Sequence, residues 1–143
     1  LVLLGWSHGG QTVLAALDAS DPAVQARGVH PRAAVAFYPG CNVPARNINY
    51  RLQAPLLMLL GELDDWTPVG PCLDLYRRLS PYPPRFEREV YPGSYHAFDS
   101  LAPVRVRDNV GGTRSGQATV GGNAAARAAS RERMLQFLGE ALR

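Results

Sequence analysis

The sequence predicts an α/β fold, a parallel sheet with flanking helices. Three observations carry that expectation. Three short runs are almost wholly apolar, as parallel strands covered on both faces must be. Helical patterns alternate with these runs along the chain. A glycine-rich turn, Gly5-Trp6-Ser7-His8-Gly9, joins the first run directly to the first helix.

The elements follow in order. Leu1–Leu4 is the first apolar run and reads as a buried strand. The helix after the turn covers Gly10 to Leu17 and ends near Asp18-Ala19-Ser20-Asp21, with Pro22 as its stop. Ala33–Tyr38 and Pro55–Leu60 are the second and third strands. Gly70–Leu79 reads as a helix, with Leu73, Tyr76 and Leu79 at helical spacing, closed by Ser80-Pro81-Tyr82-Pro83-Pro84. Phe86–Tyr91 alternates and carries charge, as a strand near a sheet edge does. Asp99–Asn123 has much glycine, serine and arginine and reads as a long loop. Ala124–Leu142 is the last helix, with Met134, Leu135, Leu138 and Leu142 as its apolar stripe. No repeat or second domain is visible, and 143 residues suffice for one modest core.

Composition excludes several classes of function. The net charge is +3, and all fifteen basic residues are arginine. They are scattered or paired with acids, as in Arg85-Phe86-Glu87-Arg88-Glu89, so no basic stripe points to nucleic acid. No apolar run approaches the roughly 20 residues of a membrane span. Two cysteines, Cys41 and Cys72, are too few for a zinc site, and no metal is expected.

The turn at Ser7 is the first piece of chemistry. G-x-S-x-G between a strand and a helix is the pattern of a nucleophile elbow. Small residues let the sharp turn form without a clash. The turn lifts the serine hydroxyl clear of the sheet and aims a helix N-terminus at developing negative charge. The His8 backbone N–H is therefore a candidate oxyanion donor. A serine also needs a base, and the base needs an acid to fix its tautomer. Both follow in order, each just past the C-terminal end of a strand, where open α/β sheets place their ligand sites. The acid lies in Gly61-Glu62-Leu63-Asp64-Asp65-Trp66-Thr67-Pro68. Asp64 is favoured, Asp65 is the alternative, and Glu62 reads as a structural hydrogen-bonder. The base is His96, in Tyr91-Pro92-Gly93-Ser94-Tyr95-His96-Ala97-Phe98. His30 reads as a surface residue. Trp6 and Trp66 flank nucleophile and acid and are candidate walls of a substrate pocket.

Those segments, with Phe37-Tyr38-Pro39-Gly40-Cys41, resemble the C-terminal portion of the dienelactone hydrolase family, in the α/β-hydrolase superfamily. The likeness runs from the first residue to about Asp99, and the final helix fits it. It implies Ser7 as nucleophile, Asp64 as acid and His96 as base in hydrolysis of a small-molecule ester or lactone, with no cofactor. It also implies that residues 1–143 are the C-terminal part of one α/β-hydrolase domain, a partial fold lacking its N-terminal strands. The founding members resemble this chain but carry cysteine as nucleophile, so serine here points to a more general esterase. One oxyanion donor of the fold belongs to a loop ahead of the elbow. Without earlier neighbours, Leu1–Leu4 would be a bare apolar edge, open to self-association or a partner chain. The expectation is a fragment, a split-gene product or a misplaced start, with cytoplasm and periplasm both open. A prolyl oligopeptidase-like peptidase shares the triad order. A non-catalytic remnant, or a subunit completed by a partner, is the rival of another class. Cys41 and Cys72 fall at one sheet edge if their strands are neighbours, either as a disulfide or as two thiols.

Overall fold

The computed structural model describes residues 1–143. Its centre is a four-stranded parallel sheet in chain order: β1 (Val2–Trp6), β2 (Ala33–Phe37), β3 (Leu56–Gly61) and β4 (Phe86–Tyr91). Residues of β2 and β3 are buried throughout, because helices cover both faces. Side chains alternate across the sheet, so two cores form. Ala34, Ala36, Leu56, Met58 and Leu60 face one side, with Val13, Leu14 and Leu17 from α1 (His8–Ala16) and its C-cap. Helix α4 (Val69–Leu79) adds Cys72 and Leu75 to that side. Ala33, Val35, Phe37, Leu57 and Leu59 face the other side, with Phe98, and with Ala126 and Phe137 of α5 (Ala124–Ala141).

Five expectations need correction. Leu1–Leu4 is not a buried strand: β1 is the edge of the sheet, and the side chains of Leu1 and Leu4 are exposed. Pro22 starts a helix instead of only stopping one: α2 (Pro22–Ala26) carries it in the first turn, and the Asp21 side chain caps the end by accepting from Ala23 N–H. Proline fits there because its missing N–H is one that the first turn leaves free anyway. A short helix absent from the sequence reading, α3 (Asn42–Arg46), follows β2. The Arg78 guanidinium donates to the carbonyls of Pro44, Ala45 and Asn47 at its C-terminal end. The segment 99–123 contains an antiparallel hairpin, β5 (Arg105–Arg107) with β6 (Ala118–Val120). The stripe on α5 is also different. Leu135 and Leu142 are exposed, whereas Ala126, Ser130 and Phe137 are buried, with Met134 and Leu138 packed beside them.

Cys41 and Cys72 form a disulfide that ties the start of α3 to α4. No helix is long and apolar enough to cross a membrane.

Candidate active site

The C-terminal ends of β1, β3 and β4 converge, and each carries one expected side chain there. Ser7 sits between β1 and α1 with φ 53° and ψ −116°, a conformation rare for any residue but glycine. Gly5 makes that turn possible: a Cβ there would lie 2.2 Å from the Gly9 carbonyl oxygen. The Ser7 N–H donates to the Phe37 carbonyl at 2.9 Å, which pins the elbow to β2. His8 is the first residue of α1, so its N–H has no helical acceptor and points out of the helix N-terminus.

The acid loop leaves β3 at Gly61. A Cβ there would come within 2.7 Å of the Ser94 carbonyl oxygen, so glycine lets the acid loop and the histidine loop touch. Leu63 N–H then donates to Ser94 at 2.9 Å. Asp64 and not Asp65 faces the histidine. Its Oδ1 accepts from the backbone N–H groups of Trp66 and Thr67, at 2.9 and 2.8 Å. Its Oδ2 lies 2.8 Å from His96 Nδ1. Asp65 turns away and accepts from Thr119 N–H in β6. Glu62 accepts from Gly93 N–H, a contact between loops.

His96 is 4% exposed and Asp64 6%. A carboxylate only accepts, so Nδ1 carries the imidazole proton toward Asp64. In the neutral ring Nε2 is then an acceptor, to which the Ser7 hydroxyl, 2.8 Å away, is placed to donate. Ser7, His96 and Asp64 thus form one hydrogen-bonded row. Tyr38 meets the imidazole edge-on with centroids 4.7 Å apart, and Trp66 lies 5.0 Å from it. The His96 carbonyl accepts from Gly121 N–H beside β6.

Two supports had no sequence signal. Thr67 Oγ1 lies 2.9 Å from the Tyr38 carbonyl, 3.0 Å from Asp64 Oδ2 and 3.0 Å from His96 Nδ1. Its single proton is shared between two acceptors, and it spans three loops. Asp99 accepts from Tyr38 Oη at 2.7 Å and from Trp6 Nε1 at 2.8 Å. Burial, reinforced by Asp99, holds the Tyr38 phenol far above its usual range, so it remains a donor.

A cavity of about 310 Å³ opens beside Ser7, lined by Trp66 and Thr67 among others. Trp6 does not line it. Trp6 stacks on Phe37 instead, with centroids 5.1 Å apart, and donates to Asp99. His8 is among the residues that line the cavity. His30 is exposed, 3.3 Å from Gln53 Oε1. No group of three or more His, Cys, Asp or Glu side chains is placed to hold a metal.

The chain resembles several solved structures. A putative dienelactone hydrolase from Klebsiella pneumoniae is 20% identical, with a TM-score of 0.61 over 97% of this chain and 51% of that one. A carboxylesterase from Lactobacillus plantarum is 15% identical, with a TM-score of 0.66 over 97% of this chain and 57% of that one. Esterase 2 of Thermogutta terrifontis, phosphoramylated by tabun, is 16% identical, with a TM-score of 0.65 over 97% of this chain and 54% of that one. The chain therefore spans about half the length of these proteins, and at such identities they establish the fold, that of a partial α/β-hydrolase sheet. None of the curated proteins matches the sequence. The sequence does match the dienelactone hydrolase family over residues 1–142. By that match the chain belongs to the dienelactone hydrolase family.

Proposed function

We propose that this protein hydrolyses small-molecule esters or lactones through Ser7, His96 and Asp64. The observation that carries the reading is the row from Ser7 Oγ through His96 to Asp64, with both contacts at 2.8 Å. His96 Nε2 takes the Ser7 proton as Oγ attacks the acyl carbon. Asp64 stabilises the imidazolium that forms. The His8 N–H faces the oxyanion, and removing one such donor typically costs ~3 kcal/mol of transition-state stabilisation. His96 then protonates the departing alcohol, and a water activated by the same histidine releases the acyl group. Family membership supports ester-type hydrolysis. The tabun adduct reported for the Thermogutta terrifontis esterase supports organophosphate labelling as a probe. The expected outcome is slow hydrolysis of p-nitrophenyl acetate that disappears in Ser7→Ala. Equal rates in the two proteins would refute the nucleophile.

Residues 1–143 read best as the C-terminal part of one α/β-hydrolase domain, consistent with the half-length match to its relatives. A second reading, a subunit completed by another strand, is favoured by the exposed side chains of Leu4 and Trp6 on edge strand β1. It predicts self-association in sedimentation velocity. A monomer at every accessible concentration would contradict that reading for copies of this chain.

A further inference from the structure

The lining of the cavity beside Ser7 is unusual in what it lacks. No aspartate, glutamate, lysine or arginine lines it, and no leucine, isoleucine, valine, methionine or phenylalanine. Its polar wall comes from His8, Gln11 and Asn42, whose exposed side chains make no hydrogen bond to another protein group. Its apolar surface is mainly Trp66, Pro68 and Pro71. Three charged groups lie close by but outside the lining: the Arg107 guanidinium sits 5.5 Å over the Trp66 ring, and Asp65 and Arg114 line an adjoining cavity that shares Trp66 and Pro68. The volume, about 310 Å³, is at the small end for a ligand site.

Each missing residue type argues against a substrate class. A carboxylate brought against Gln11 and Asn42 would find no arginine or lysine among the lining residues, Arg107 and Arg114 standing outside it, and losing water without a partner is costly. A long acyl chain would find no aliphatic wall to replace water. Hydroxyl groups, by contrast, both donate and accept, and each carboxamide offers both functions in return. Gln11 stands one helical turn after Ser7, and Asn42 opens α3 across the cavity, so the two can hold one small molecule from two sides.

We infer that the cavity selects small, uncharged esters or lactones bearing hydroxyl groups, held by the carboxamides of Gln11 and Asn42. The inference rests on Ser7 being the nucleophile, so the test reads both. Ser7 is labelled with a fluorophosphonate in the presence of increasing glycerol monoacetate, monoethyl succinate or ethyl hexanoate. Glycerol monoacetate is expected to halve the labelling rate at a concentration at least about tenfold lower than the other two. In a Gln11→Leu/Asn42→Leu double variant, shown to be folded by circular dichroism, that advantage falls about tenfold, as loss of two hydrogen bonds implies. Equal or weaker protection by glycerol monoacetate overturns the inference, and so does an unchanged advantage in the double variant. Absence of any label on folded protein overturns the nucleophile itself, and this inference with it. Normal labelling with the wrong preference overturns the inference alone.

Discussion

The two ends of the hydrogen-bonded row stand on differently built ground. Asp64 and His96 are almost wholly buried. Backbone N–H groups, Thr67, Tyr38 and Trp66 surround them, and the hairpin segment holds the His96 carbonyl. Ser7 stands at the tip of β1, the edge strand, where Leu4 and Trp6 are 44% and 42% exposed. The opposite edge is guarded. On β4, Glu87 pairs with Arg85 and with Arg133 of α5, and Glu89 also pairs with Arg133. Charged edges resist another strand, and bare apolar ones invite it. This chain thus builds the buried Asp64–His96 end of the row from its own contacts. Ser7, by contrast, is held by its own tight turn and by one neighbouring strand.

The largest expected effect breaks the buried half directly. Asp64→Asn should lower kcat on p-nitrophenyl acetate by roughly 10⁴-fold, because the amide no longer favours the Nδ1–H tautomer. Asp65→Asn should stay within a few-fold, since its carboxylate serves the hairpin. A reversed order would give the acid role to Asp65.

Stability comes next. The disulfide closes a separation of 31 residues, for which loop entropy implies ~3–4 kcal/mol. The Cys41→Ala/Cys72→Ala variant should therefore melt roughly 10 °C lower in calorimetry. An unchanged Tm would show that α3 and α4 are held without it. Thr67→Val should cost about 1–2 kcal/mol through its lost bonds to the Tyr38 carbonyl and Asp64. Kinetically it should reduce kcat with KM nearly constant, and Thr67→Ser should restore the rate. A change in KM alone would make Thr67 a substrate contact instead.

The smallest effect lies at the guarded edge. Burial pushes the Glu87 carboxyl up, but hydrogen bonds from Arg85 and Arg133 outweigh it, and the group titrates below its ordinary range. A lowered folded value means stability that is complete above the ordinary carboxylate range and lost as pH falls through the folded value. Urea midpoints measured from neutral to acid pH should show that decline, and Glu87→Gln should flatten it. An identical slope in the variant would place the acid sensitivity elsewhere.

What was legible in the sequence divides along similar lines. β2 and β3 are buried on both faces, so their apolar runs gave their extent to within a residue. That Ser7, Asp64 and His96 lie at one end of the sheet was legible because each follows the C-terminal end of a strand. The hairpin was not, because β5 and β6 are three residues each, and β5 is fully exposed. Strands that short show no alternation. Pro22 after a helical pattern reads as a stop, although Asp21-Pro22 is equally a capped start. On α5 the leucines misled: Leu135 faces water, while Ser130 is buried with its hydroxyl satisfied by the Arg127 carbonyl. Thr67 and Asp99 left no pattern, because their partners come from three different loops.

The hydrogen-bonded row from Ser7 to Asp64 is tested most directly by intact-mass and peptide mapping after fluorophosphonate treatment of the purified protein. One adduct is expected, on Ser7, formed at least about a hundredfold more slowly in His96→Ala and absent in Ser7→Ala. Folded protein that takes up no label, or takes it up on another residue, would contradict Ser7 as the nucleophile.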